Sequence, residues 1–328
     1  MKNLLFTSTL FLIVNFSFAQ TKIGNDLTIK GKVSFYSESK YDLVEKFGEI
    51  EKDSLRSKTT SKYDEKGNMI ESKHYIADGS LNDKTTYKYD EKGNVIESNS
   101  YDADGSLWKK YTYKYDEMGN MIEDNLYYKA DGSLSYNKTY KYDEKGNKIE
   151  SISYKADGSL RSKTTHKYDE KGRMIEYNLY KADGSLLYKT TYKYDERGNK
   201  IERNTYDPDG SLGSKYTSKY DERGNRIEDN SYNADGSLWC KFTYKYDEKG
   251  NEIEYNNYNA DGILRSKSKY KCDEKGNMIE ENDYNADGSL SSKTTYKYEF
   301  DTTGNWIKKT SITDGKPEQL FERVIEYY

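Results

Sequence analysis

A Tyr-Asp pair returns along this chain at a nearly fixed interval. It stands at Tyr63, Tyr89, Tyr115, Tyr142, Tyr168, Tyr194, Tyr220 and Tyr246, each followed by Asp, and Cys272-Asp273 and Phe300-Asp301 hold the same place in two later copies. The steps are 26, 26, 27, 26, 26, 26, 26, 26 and 28 residues. A period of this size means that one small unit is stacked many times, each copy burying its apolar face against the next.

Two turn signals divide the unit. Asp90-Glu-Lys-Gly-Asn94 is the first and Ala103-Asp-Gly-Ser106 the second, each with a Gly that recurs from copy to copy. Gly reaches positive φ without a Cβ clash, and Asp or Asn supplies the local hydrogen bonds of a turn. The segments left between the turns, about eight or nine residues each, have strand length. Leu107, Tyr111, Tyr113 and Tyr115 share one parity, and Trp108, Lys110, Thr112 and Lys114 the other. Period two with Tyr and Thr reads as a half-buried strand. In Val95 to Tyr101 the apolar Ile96 and Tyr101 fall on opposite parities, which predicts a bulge or a change of face. The extra residue near Tyr127-Tyr128 predicts a further local bulge.

The unit is therefore a β-hairpin, and a lone hairpin is marginal in water. The expected fold is all-β: tandem hairpins forming an elongated curled β-strip or β-solenoid, because roughly twenty strands at about 4.8 Å would make an open sheet about 95 Å wide. Hydrophobic residues make up 33% and charged residues 34%, which alone would point to disorder, but 36 tyrosines sit mostly at strand positions. Tyr buries a ring while its hydroxyl stays wet. The net charge of −4 gives no global attraction to nucleic acid.

In chain order, Met1 to Ala19 reads as a cleavable signal peptide, with Lys2, an apolar run from Leu4 to Phe16, and small residues Ser17 and Ala19 before the cut. That apolar run is too short for a comfortable membrane span, and no later segment reads as one that crosses a bilayer. Residues 20–61 read as an irregular N-terminal cap, 62–297 as the regular array and 298–328 as a C-terminal cap, the caps presenting the end edges to solvent. The implied location is secreted, periplasmic or cell-surface.

The pattern Tyr-Asp-x-x-Gly-Asn-x-Ile, with its second Asp-Gly turn and return to Tyr-x-Tyr-Asp, resembles the YD repeats of the RHS repeat family from Lys62 to Asp301. The resemblance implies hairpins joined into a long β-strip. In large members of that family the strip spirals into a shell around a toxin; this much shorter chain has no region resembling the toxin, and Asp207-Pro208-Asp209-Gly210 is a turn variant rather than the family's autoproteolysis signature, so enclosure is not implied. The aromatic-plus-turn pattern is also similar to glucan- and choline-binding repeats, whose pockets use Trp heavily; here Trp occurs only at Trp108, Trp239 and Trp306. Short MORN-like repeats share the Tyr and Asp-Gly turns as well.

Residues with chemical potential all have a plain structural reading. Asp102-Ala103-Asp104-Gly105 and Asp207 to Gly210 look like pieces of calcium loops, but the first Asp is replaced in other copies and no bidentate Glu follows at loop spacing. His166 takes a Tyr column position and His74 has no fixed partner. Cys240 and Cys272 lie six residues out of register on corresponding strands, too far for a disulfide in a meander, which predicts free thiols. The Glu column from Glu71 to Glu280 repeats too often to make a unique site and reads as a charge ladder offset by Lys88, Lys114, Lys141 and Lys167. The Tyr column of Tyr87, Tyr113, Tyr140, Tyr192, Tyr244, Tyr270 and Tyr296 reads first as a core ladder and is also the candidate binding surface, and both hold if the two faces differ. The expectation is an exported, non-enzymatic repeat scaffold or binding protein without cofactor or metal, its partner unknown: a surface protein, or a cell-wall polysaccharide if the Tyr rows are exposed.

Overall fold

The computed structural model describes residues 20–23, 27–128 and 132–328. Residues 1–19, where the signal peptide is expected, lie outside the described residues. A short antiparallel pair, Gln20–Ile23 with Leu27–Lys30, precedes the main body. From Val33 onward every strand pairs antiparallel with the next, and the last strand pairs back onto the first, so that 22 strands form a closed barrel.

This closure corrects the expectation of an open strip or solenoid. The seam joins Val33–Lys46 to Lys316–Tyr327, in register from Asp42 opposite Gln319 to Val33 opposite Tyr327. The ends therefore do not present free edges; they zip to each other, which is how a barrel removes the edge problem altogether. Both seam strands and Glu49–Tyr63 exceed the nine residues of a typical repeat strand such as Leu81–Tyr89. Their hairpins use two-residue turns, Phe47-Gly48 and Asp314-Gly315, with all four residues at positive φ, the twist-matched geometry of tight hairpins. Ile29, Val33, Tyr36 and Tyr63 form an apolar cluster at the seam, with Met69 and Ile325 packed against it. Arg323 adds an ion pair across it to Glu38 at 2.7 Å.

Two bulges per hairpin explain why the sheet closes. Lys88 faces Glu97 but Tyr89 faces Val95, leaving Ile96 as an extra residue. Ser100 faces Lys109 but Tyr101 faces Leu107, leaving Trp108 extra. The same pair of shifts recurs around the array. Thr86 therefore leads through Asn99 to Lys110 rather than to its repeat equivalent Thr112. Each hairpin thus staggers the register by two residues, and stagger accumulated in one direction gives the strand tilt that closure requires. At about 4.8 Å per strand and a tilt near 40°, the barrel is about 45 Å across and its regular wall about 25 Å tall. The extra residue of the long repeat falls between Tyr128 and Ser133, which face each other with four residues between them where the equivalent Asp102 and Ser106 have three; residues 129–131 lie outside the described residues.

The bulge at Trp108 also reassigns a side chain. Parity placed Leu107 with Tyr111 and Tyr113, but Leu107 pairs with Tyr101, among Lys84, Asn99 and Lys110. The same Tyr–Leu pair closes every second turn, as at Tyr154–Leu160 and Tyr180–Leu186.

The wall has two distinct faces. On one, the ladder Glu are clamped by two lysines, or at Glu123 by Lys114 and the Asn125 amide: Glu97 lies 2.7 Å from both Lys88 and Lys110, and Glu254 lies 2.8 Å from both Lys245 and Lys267. The other carries the Tyr column together with Ser98, Asp124, Asp229 and Glu281. Among the described residues no helix is long and apolar enough to cross a membrane. A membrane-spanning barrel needs an apolar outward band, and each face here carries charge at mid-strand.

Candidate functional site

The turns are built from their own acids. In the first, the Asp90 carboxylate accepts the Asn94 backbone N–H at 2.8 Å and its side-chain amide at 2.9 Å, with Gly93 at φ +87°. In the second, Asp104 accepts the Ser106 N–H at 2.8 Å. These acids serve the backbone, which is the turn reading of the calcium-like segments. Among the described residues no group of three or more His, Cys, Asp and Glu is placed to hold a metal ion.

From Tyr89 to Tyr246 the Tyr of each Tyr-Asp pair ties its hairpin to the one before, whereas the buried Tyr63 hydroxyl has no partner among the described residues. The hydroxyl donates to a main-chain carbonyl about twenty positions earlier: Tyr89 to Met69 at 2.7 Å, Tyr168 to Lys148 at 2.8 Å and Tyr194 to Met174 at 2.8 Å, and Tyr298, two residues before Phe300-Asp301, does the same to Met278 at 2.9 Å. Cys272 stands in this column without a hydroxyl. Basic side chains make a parallel tie between neighbouring turns, as from Arg223 to the Glu248 carbonyl at 2.5 Å.

The candidate column is neither buried nor free: Tyr87, Tyr113, Tyr140, Tyr192, Tyr244, Tyr270 and Tyr296 are all half-buried. Tyr140 donates to Asp124 at 3.0 Å, Tyr244 to Asp229 at 3.0 Å and Tyr296 to Glu281 at 2.8 Å. Burial first, and then these carboxylates, push the three phenols well above their ordinary range. Burial is the leading cause of the rise at Tyr192, Tyr270 and Tyr87, partly offset by Arg203 at Tyr192 and by the Ser268 hydrogen bond at Tyr270. Cations lie over several rings, Lys200 at 4.4 Å from Tyr192 and Lys309 at 4.5 Å from Tyr296.

His166 occupies the Tyr column, edge-on to Tyr177 at 5.2 Å, and burial lowers its basicity. His74 pairs with Asp83 at 2.7 Å on the surface. The two are in different hairpins. Cys240 is buried and Cys272 half-buried, both as free thiols; burial pushes the Cys272 thiol up. The Glu column is held low: Lys110 most strongly, then Lys88 and Asn99, keep Glu97 at about 2.

One position in the Tyr column escaped sequence reasoning. Ser218 stands there, between Tyr192 and Tyr244 in successive copies. Its hydroxyl donates to Asp229 at 2.6 Å, and a cavity of about 480 Å³ opens beside it. The signal was available: Ser218 is the small residue set among the seven tyrosines and His166, the column's other Ser being Ser61 at its start.

Comparison with curated proteins finds no match. Among solved structures, TcdB2-TccC3 aligns over 84% of this chain and 22% of its own at 12% identity, with a TM-score of 0.31. A porin-like protein from Bacteroides uniformis aligns over 90% of this chain and 96% of its own at 12% identity, with a TM-score of 0.32. Neither score carries an argument, and the chain spans about a fifth of the TcdB2-TccC3 chain. The teneurin YD-shell family model matches residues 12–211, more than half of the chain, including the Tyr-Asp turns from Tyr63 to Tyr194. With the repeat, its paired turns and the hairpin wall in agreement, the chain belongs to the teneurin YD-shell family.

Proposed function

We propose that this protein is an exported, non-enzymatic scaffold: a self-closed YD ring that keeps its shape outside the cytoplasm, at the cell surface or beyond it. Membership of the YD-shell family points to a structural shell role. The observation that carries the reading is the use of the polar side chains. Turn acids serve turn amides, each Glu of the ladder serves two lysines or a lysine and an amide, and the Tyr hydroxyls serve the neighbouring hairpin. These groups hold one wall together. The apolar leader at 1–19 supports export. Its partners are proteins of the surface or surroundings, the kind of partner a rigid polar ring presents itself to.

Expression with the leader intact, followed by fractionation and assay against peptide, ester and glycoside substrates, tests this. A mature chain beginning at Gln20 outside the cytoplasm, without turnover, is expected. Uncleaved chain retained in the cytoplasm, or turnover abolished by one point substitution, contradicts it.

A further inference from the structure

The cavity beside Ser218 lies where the array breaks its own pattern. In the two neighbouring copies the same column position is Tyr192 and Tyr244. Serine leaves the space of a phenol ring unfilled, and the space is lined by Tyr216, Tyr244, Phe242 and Tyr255. Phe242 and Tyr255 are stacked, with ring centroids 5.9 Å apart and planes 16° from parallel. The walls are thus flat aromatic faces, the surface on which the C–H face of a pyranose ring packs.

The same stretch also gathers cations. Lys200 and Arg226 stand in successive copies where Met69, Met121 and Met174 stand in others, a place that Lys148 also holds, and Arg203 stands where Ser72, Ser98 and Ser151 do. All three cations line the cavity. Arg226 is engaged by Asp229 at 3.2 Å. Asp229 is itself held by Ser218 and Tyr244. The Arg203 guanidinium rests 4.1 Å over the Tyr216 ring, and Lys200 lies over Tyr192. Among the described residues neither Lys200 nor Arg203 has a carboxylate partner. Glu202, nearby in sequence, is spent on Lys193 at 2.8 Å and Lys215 at 3.2 Å on the opposite face. An aromatic-stacked guanidinium is held flat for two-point contact with a carboxylate. The volume lies within the range of small-molecule sites.

We infer that the Ser218 cavity is a binding site for an acidic sugar, a pyranose bearing a carboxylate. The carboxylate is met by Arg203 and Lys200, the ring by Tyr216 and Tyr244, and the ring hydroxyls by Ser231 and the Ser218–Asp229 pair. This site goes beyond the scaffold role and does not depend on it. The ring can close whether or not the cavity is filled.

The test is calorimetric titration of the full mature chain with oligoglucuronate and oligogalacturonate, with neutral gluco-oligosaccharide and glucose 6-phosphate as comparison probes. Two variants accompany it. Ser218→Tyr fills the gap with the residue the neighbouring copies carry, so the wall is expected to fold unchanged. Arg203→Ser restores the common residue of that column. Binding of at least one uronate oligomer, weakened at least tenfold by each variant and at least tenfold stronger than the neutral probe, is expected. Absence of uronate binding to the unaltered chain, or binding that Ser218→Tyr leaves intact, overturns the site. Preference for the phosphate probe overturns the carboxylate assignment. A monomer of unchanged size and circular dichroism in every variant separates these outcomes from a failure of the ring itself.

Discussion

The Tyr-Asp tyrosines act as hydroxyl ties between hairpins, and the array contains its own control at Cys272. In Tyr194 the hydroxyl donates to the Met174 carbonyl at 2.8 Å, while the ring stacks under Arg173 at 4.9 Å. Tyr194→Phe keeps the ring and removes the bond, at an expected cost of about 0.5–1.5 kcal/mol, the net value of one such hydrogen bond. At Cys272 the experiment runs in reverse. The twenty-residue offset of the other ties puts the waiting acceptor at the Glu252 carbonyl. Cys272→Phe adds a ring alone, and Cys272→Tyr adds the ring and its hydroxyl. The difference between them isolates the tie and is expected to be the same 0.5–1.5 kcal/mol in favour of Tyr. Urea unfolding gives the global value, and amide exchange around Glu252 to Glu254 gives the local one. If Phe and Tyr at 272 are equally stable, or Tyr194→Phe is silent, the hydroxyls are decoration and the reasoning fails.

Gly158→Val should cost about 1–3 kcal/mol through backbone strain alone, because Gly158 sits at φ +79° and an added Cβ meets nothing within 4 Å; faster amide exchange confined to 141–168 is the expected readout. Leu160→Asp should cost more, about 2–4 kcal/mol, by removing the partner of Tyr154 and leaving a half-buried charge; a comparison of urea midpoints ranks the two. Acid should weaken the wall. Lysine and amide donors hold Glu97 and Glu280 at about 2, below the 4.5 of a free Glu, so their contribution is complete above about pH 4.5 and is lost as pH falls toward 2; urea midpoints that stay flat between pH 6 and about 2.5 would contradict the ladder. Deleting 142–167, one whole hairpin, should leave a folded and narrower ring, since strand number and stagger fall together and the tilt is kept; sedimentation and circular dichroism check it.

The sequence was legible where physics is local. Gly at positive φ, Asp before it, and alternating Tyr and Thr determine the hairpin directly, and each turn from Asp64 to Asp301 follows. The mismatch of Ile96 and Tyr101 foretold the bulge at Ile96. What stayed hidden is what sums over distance. Whether two residues of stagger per hairpin close a ring depends on the total, and on terminal strands whose pairing from Val33 to Tyr327 spans the whole chain and follows no repeat. The bulge at Trp108 was hidden as well, because Leu107 keeps parity with Tyr111 in sequence while changing face in space. Ser218 was visible as a letter, but only the neighbouring rings of Tyr216 and Tyr244 turn it into a cavity.

Closure of the ring is tested most directly by a covalent link across the seam. With Cys240 and Cys272 replaced by serine, cysteines are placed at Ser37 and Val324, partners in the seam register. Paired positions in an antiparallel ladder lie about 4.5–5.5 Å apart, within disulfide reach, whereas the ends of an open strip of this many strands would be about 100 Å apart. Mild oxidation of dilute monomer should give an intramolecular disulfide between residues 37 and 324, found by peptide mapping. A monomer that keeps both thiols, or links only between molecules, would contradict the closed barrel.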